Sequence, residues 1–280
     1  MSDTPRARAL AKELRAAREA AGLTLRELGN RLGWSESKVS RLETARRGLK
    51  VEPVTAILDT LGVTGIDRDR LLKMTREIHE PAWWELGRHL PAQLTALIDA
   101  EQRATRITSV ALNTIPGLLQ TRPYTREIMQ AGGVDAQDID DHVSIRQVRQ
   151  GVLSKVDPAE LWSFIDETAL LRPVGGPRVM AEQLRRVLAA SEEPNVTVQV
   201  LPLAVGAHAG LSGTFVLFEF IKARPVVFLE ARSSGAFLDE PDDVSLFLDA
   251  VDRLGKHALA PGASREILSG YIKRYESEAT

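Results

Sequence analysis

Residues 24–48 read TLRELGNRLGWSESKVSRLETARRG, and the N-terminal fold follows from them. Thr24 with Glu27 three residues later is a capping box, in which each side chain satisfies an amide that the first turn of a helix leaves open. It opens a helix with Leu25, Leu28 and Leu32 on its apolar face, and Gly33 stops it. After Trp34, Ser35 is an N-cap for a second short helix, SESKVSRLE, with Val39 and Leu42 turned inward. Its other face carries Glu36, Ser37, Lys38, Ser40 and Arg41. Two short helices joined by a tight glycine-containing turn, the second polar on its outer N-terminal face, have the geometry of a helix that enters a DNA major groove.

Working outward, Leu10, Leu14, Ala17 and Ala21 recur at spacings of four, three and four, a single helical stripe ending at Gly22. Downstream, a helix starting at Pro53 presents Ile57, Leu58 and Leu61. Over residues 8–63 the chain resembles the Xre-type, phage-repressor helix-turn-helix family. That resemblance places Glu36, Ser37 and Arg41 at base-reading positions, with Lys38 and Ser40 beside them as backbone contacts. The chemistry agrees: arginine can donate two hydrogen bonds to guanine, glutamate can accept from the cytosine amine, and serine serves either kind of base. Arg26, Arg46, Arg47 and Lys50 read as phosphate contacts, which set register without reading sequence. Leu25 stands where the family often has a phosphate-touching glutamine.

Charge distribution points the same way. The chain carries a formal −2 overall, yet residues 1–50 hold 12 Lys and Arg against 6 Asp and Glu, leaving 24 against 32 for the remainder. A basic head on an acidic body suits a polyanion-binding module fused to a domain that avoids polyanions. The absence of cysteine excludes disulfides, thiolate catalysis, iron–sulfur clusters and cysteine-containing zinc sites. No apolar run reaches the roughly 18 residues of a membrane helix, and the charged N-terminus lacks a signal-peptide core, so the expected compartment is the cytoplasm, at the nucleoid.

Residues 65–80 read as a helix capped at Asp67, and PAWWELGRHLP (81–91) as a joint whose Trp83 and Trp84 dock onto a domain or a partner, the alternative being a ligand cage. Beyond it, helices over 91–107, 121–133, 136–155, 177–191 and 242–259 alternate with strands over 107–115, 161–171, 196–203, 214–221 and 226–231. The expected fold is therefore multidomain: an all-α helix-turn-helix bundle over residues 1–66, a linker helix and Trp-containing joint over 67–90, and an α/β domain with a mixed sheet flanked by helices over 91–280.

The stretches IPGLLQTRPYTREIM, ETALLRPVGGP and PNVTVQVLPLAVGAHAGLSGTFVLFEF resemble the regulatory domain of actinobacterial WhiJ-like regulators over residues 90–272. The resemblance implies a protein effector, since such genes often neighbour one for a small acidic-type partner protein. Within the body, the residues that can carry chemistry are Asp166 and Glu167 at a strand end, His208 between glycines, Gly210, Glu230, Arg146, Arg149 and the Gly175–Gly176 turn. Glu167 can orient the His208 imidazole as a general base, and the same residues with Gly210 can instead bind an effector or serve structure alone. The Gly175–Gly176–Pro177 amides can hold an anion or form a plain loop. The five histidines are scattered singly and no HExxH, GxSxG or phosphate-binding glycine loop occurs, so neither a metal site nor a cofactor is expected.

Together these readings predict a non-enzymatic, homodimeric transcription regulator on a double-stranded DNA operator, whose body dimerises or binds a small-molecule or small protein effector. The alternative is a catalytic or toxin-like body, with the helix-turn-helix serving autoregulation.

Overall fold

A computed structural model describes residues 5–45, 49–77, 92–230 and 235–279. They fall into two compact units, 1–96 and 97–280, and the division lies inside a helix, α6 (Ala92–Arg103).

The first unit is helical: α1 (Pro5–Ala20), α2 (Leu25–Leu32), α3 (Glu36–Glu43), α4 (Val51–Thr60) and α5 (Gly65–Glu77). Each supplies a stripe to one core, with Leu10 and Leu14 from α1, Leu28 from α2, Val39 and Leu42 from α3, and Ile57 and Leu58 from α4. The capping box expected at Thr24 is formed, with the Glu27 amide donating to Thr24 Oγ1 and the Thr24 amide donating to Glu27 Oε2. Two expectations change. The fourth helix begins at Val51, before Pro53. The helix assigned to the linker is α5, which packs Leu71 and Leu72 into the same core, because its apolar stripe has α1 and α4 to cover it. The joint over 81–91, with Trp83, Trp84 and His89, lies outside the described residues, as does His79.

The second unit is a mixed sheet flanked by helices. Its strands are β1 (Arg106–Ala111), β2 (Glu160–Asp166), β3 (Val196–Leu201), β4 (Phe215–Glu219), β5 (Val226–Glu230) and β6 (Gly235–Leu238), in the order β3-β2-β1-β4-β5-β6. The β1–β2 and β2–β3 pairs are parallel, and the other three pairs are antiparallel. Parallel neighbours need a crossover. Here α7 (Arg122–Ala131) and α8 (Ile139–Arg149) fill the first, and α9 (Glu167–Leu171) and α10 (Pro177–Ala190) fill the second. Val110, Phe164, Phe215, Leu217 and Val227 share a face that α11 (Pro241–His257) covers with Val244 and Leu254. A final helix, α12 (Pro261–Glu278), packs against α10 and β3.

The strand expected over 161–171 ends at Asp166. From there Asp166 Oδ1 accepts the Thr168 amide at 2.8 Å, and ETALL becomes α9. The strand expected over 107–115 likewise stops at Ala111.

Candidate nucleic-acid interface

The pair α2 and α3 is held at short range by backbone. Gly33 adopts φ +66° and donates back to the end of α2, and the Trp34 amide donates to Gly29 O at 2.8 Å. Gly29 permits this approach, since a Cβ there would stand 2.8 Å from the Trp34 carbonyl oxygen. Ser35 then caps α3 by accepting the Lys38 amide. At the far end of α3, Glu43 takes both Nε and Nη2 of Arg18, at 2.8 and 2.9 Å, while Arg18 Nη1 donates to Leu23 O at 2.7 Å. One buried guanidinium therefore joins α1, the α1–α2 turn and α3. The hydrogen bond to Glu43 holds the Arg18 pKa above the ordinary arginine value.

With Val39 and Leu42 buried, the opposite face of α3 points outward. Glu36, Ser37 and Arg41 are all exposed. Neither the Glu36 nor the Arg41 side chain makes a hydrogen bond or ion pair among the described residues, and Ser37 Oγ lies 3.2 Å from Ser35 Oγ. The Lys38 ammonium rests over the Trp34 ring, 3.5 Å from its centroid, and Ser40 is half-buried. Arg26 at the start of α2 and Lys50 before α4 are exposed, whereas Arg46 and Arg47 lie outside the described residues. The arrangement offers exposed hydrogen-bonding groups on α3, with exposed cations at the start of α2 and before α4, chemistry suited to base edges and phosphates.

In the second unit, the residue beside His208 is Asp166 and not Glu167. His208 Nδ1 accepts the Gly210 amide at 3.2 Å, so the imidazole hydrogen sits on Nε2 and donates to Asp166 Oδ2 at 3.0 Å. The pair is buried, with the imidazole 3% and the carboxylate 8% exposed. Glu167 faces elsewhere: it accepts the Leu203 amide at 2.8 Å and the Tyr271 hydroxyl at 2.7 Å. Burial first, and then that hydrogen bond, push the Tyr271 phenol upward. The strand end is the reason, since Asp166 is the last residue of β2 and caps α9, of which Glu167 is the first.

Residues 94–270, most of the chain, match the family described as a domain of unknown function (DUF5753). The chain belongs to the DUF5753 family. Residues 9–71 match a helix-turn-helix domain, so a helix-turn-helix precedes the DUF5753 domain. No match was found among curated proteins or among solved structures.

Three further candidates in the DUF5753 domain are used structurally or in a pair. Gly175 and Gly176 take φ +69° and +83°, and a Cβ on Gly175 would stand 2.8 Å from the Glu127 side chain, so the turn is packed. Arg149 forms a two-bond ion pair with Glu101. No cluster of three metal-ligating side chains, and no helix long and apolar enough to cross a membrane, occurs among the described residues. The sequence reading missed Gly29 and the Arg18–Glu43 pair. A glycine within a helical stripe was a visible signal for the first, but nothing local marks the second.

Proposed function

We propose that the chain is a sequence-specific, DNA-binding transcription regulator of the Xre, WhiJ-like kind, in which α3 reads an operator through Glu36, Ser37 and Arg41. The observation that carries this reading is the outward face of α3, where the Arg41 and Glu36 side chains stand exposed without partners among the described residues while three separate devices hold the helix in place. Arg26, Lys38, Ser40 and Lys50 supply backbone contacts. A single short helix buries too little surface for operator-grade affinity, so two copies bind half-sites about one turn (~34 Å) apart. The DUF5753 domain acts by binding, as effector sensor, dimerisation element or both. Catalysis at His208 is disfavoured because both ring nitrogens are engaged.

The test is to select DNA fragments with the purified full chain and to measure binding to the selected sequence over a salt series. Arg41→Ala lowers affinity by about 10- to 100-fold and relaxes preference at one base pair. Lys50→Ala weakens all sequences alike and reduces the salt slope by about 1. Unchanged affinity and preference in Arg41→Ala would falsify the assignment of α3 as reader.

A further inference from the structure

Arg146 and Arg149 lie one turn apart on α8, and Arg149 occupies the nearby carboxylate, with Nε donating to Glu101 Oε2 at 2.8 Å and Nη2 to Oε1 at 2.7 Å. Arg146 has no ion pair among the described residues, and its one side-chain hydrogen bond runs from Nη1 to Gln120 Oε1 at 2.8 Å. Its Nε is buried without a hydrogen-bond partner among the described residues. The neighbouring amide donors are themselves engaged: Gln120 Nε2 donates to Ile115 O, and Gln150 Nε2 donates to Gly117 O and Gln120 O. Gly117 borders the same edge, where a Cβ would stand in ordinary contact, 3.7 Å from Nε and 3.8 Å from Cζ. Burial, and then the like charge of Arg149, push the Arg146 guanidinium down to about 10, with Glu230 and Glu101 pulling the other way.

Arg18 and Arg149 show how this protein otherwise treats an enclosed arginine, giving each a two-bond carboxylate. A cation with a buried unmatched donor costs stability unless an anion meets it. The Nε–Nη2 edge of a guanidinium is a planar fork matched to two oxygens of a carboxylate or phosphate. Arg146 is half-buried as a residue, and its Nη2 is neither enclosed nor hydrogen-bonded among the described residues, so an anion approaches the fork from the Nη2 end.

We propose that Arg146 anchors an oxyanion-binding site in the DUF5753 domain, taking the carboxylate or phosphate group of a small ligand on its Nε–Nη2 edge beside Gly117. This supplies a chemical class for the effector and rests on the regulator reading only for that label. Binding is read without DNA, so its failure is distinct from a failure at Arg41.

The experiment uses the full 15N-labelled chain and follows arginine Nε–Hε signals while inorganic phosphate and, separately, acetate replace chloride at constant ionic strength. Arg146 is assigned by the loss of its signal in Arg146→Lys. Its signal is expected to shift saturably with at least one anion, in wild type and in Arg41→Ala, while that of Arg149 stays in place. Near tenfold excess over Kd the melting temperature rises by about 3–6 °C, and Arg146→Lys loses that rise. Gly117→Val, which covers the edge and keeps the arginine, weakens binding at least tenfold and replaces the lysine variant if that one does not fold. Phosphate saturating alone identifies a phosphate ligand, and acetate alone a carboxylate. A signal that both anions leave unmoved, a shift that never saturates, or equal stabilisation of the variants overturns the proposal.

Discussion

Gly29 sits inside α2, where glycine ordinarily costs about 1 kcal/mol relative to alanine. Here the order reverses, because the atom a Cβ would meet at 2.8 Å is a backbone oxygen of the turn and cannot rotate away. Gly29→Ala is therefore expected to destabilise the first unit by about 1–3 kcal/mol, seen as a lower urea midpoint at unchanged slope. An alanine variant as stable as wild type would show that the α2–α3 approach is looser than described. At the same scale, residue chemistry made His208 and the adjacent acids 166 and 167 visible in the sequence, but not which acid meets the imidazole. That choice depends on β2 ending at Asp166, where the hydrogen bond to the Thr168 amide turns the chain into α9 and sends Glu167 toward Tyr271.

Among the elements, α2 and α3 were the most legible, since cap, stripe and stop all lie within a few residues of one another. The Glu27 carboxylate is held below its ordinary pKa first by the Thr24 amide and then by the Thr24 hydroxyl. A lowered carboxylate pKa contributes stability that is complete above the unfolded value of 4.5 and is lost as pH falls through the lower folded value. The difference in melting temperature between wild type and Glu27→Gln should thus be constant above that pH and close below it. A difference that persists at pH 2 would assign the effect to helix propensity instead of the cap. Helix α12 was not foreseen, although Leu268, Ile272 and Tyr275 recur at spacings of four and three. Its stripe becomes decisive only once α10 and β3 give it a surface to cover.

At the scale of the molecule, the alternation of helices and strands was sufficient for a mixed sheet flanked by helices, and the sheet has that form. Strand order was not readable, because β1 pairs with β2 across two helices and with β4 across most of the unit. The proposed two-fold use of the helix-turn-helix has a geometric consequence. Inserting about 5 base pairs between half-sites turns them to opposite sides of the duplex and is expected to reduce binding to that of one half-site. Affinity insensitive to spacing in a gel-shift series would instead favour a single reading head. From sequence alone came the helix-turn-helix, its outward α3 face, the two-part organisation and the sheet class. Each is written in caps, turns and periodicities that act over one or two turns of chain. Tertiary structure alone decided that Asp166 holds His208, 42 residues away, that Arg18 spends its charge on Glu43, and that Arg149 takes Glu101 and leaves Arg146 without a carboxylate. Such pairings depend on which surfaces fold against each other, and no local pattern encodes that.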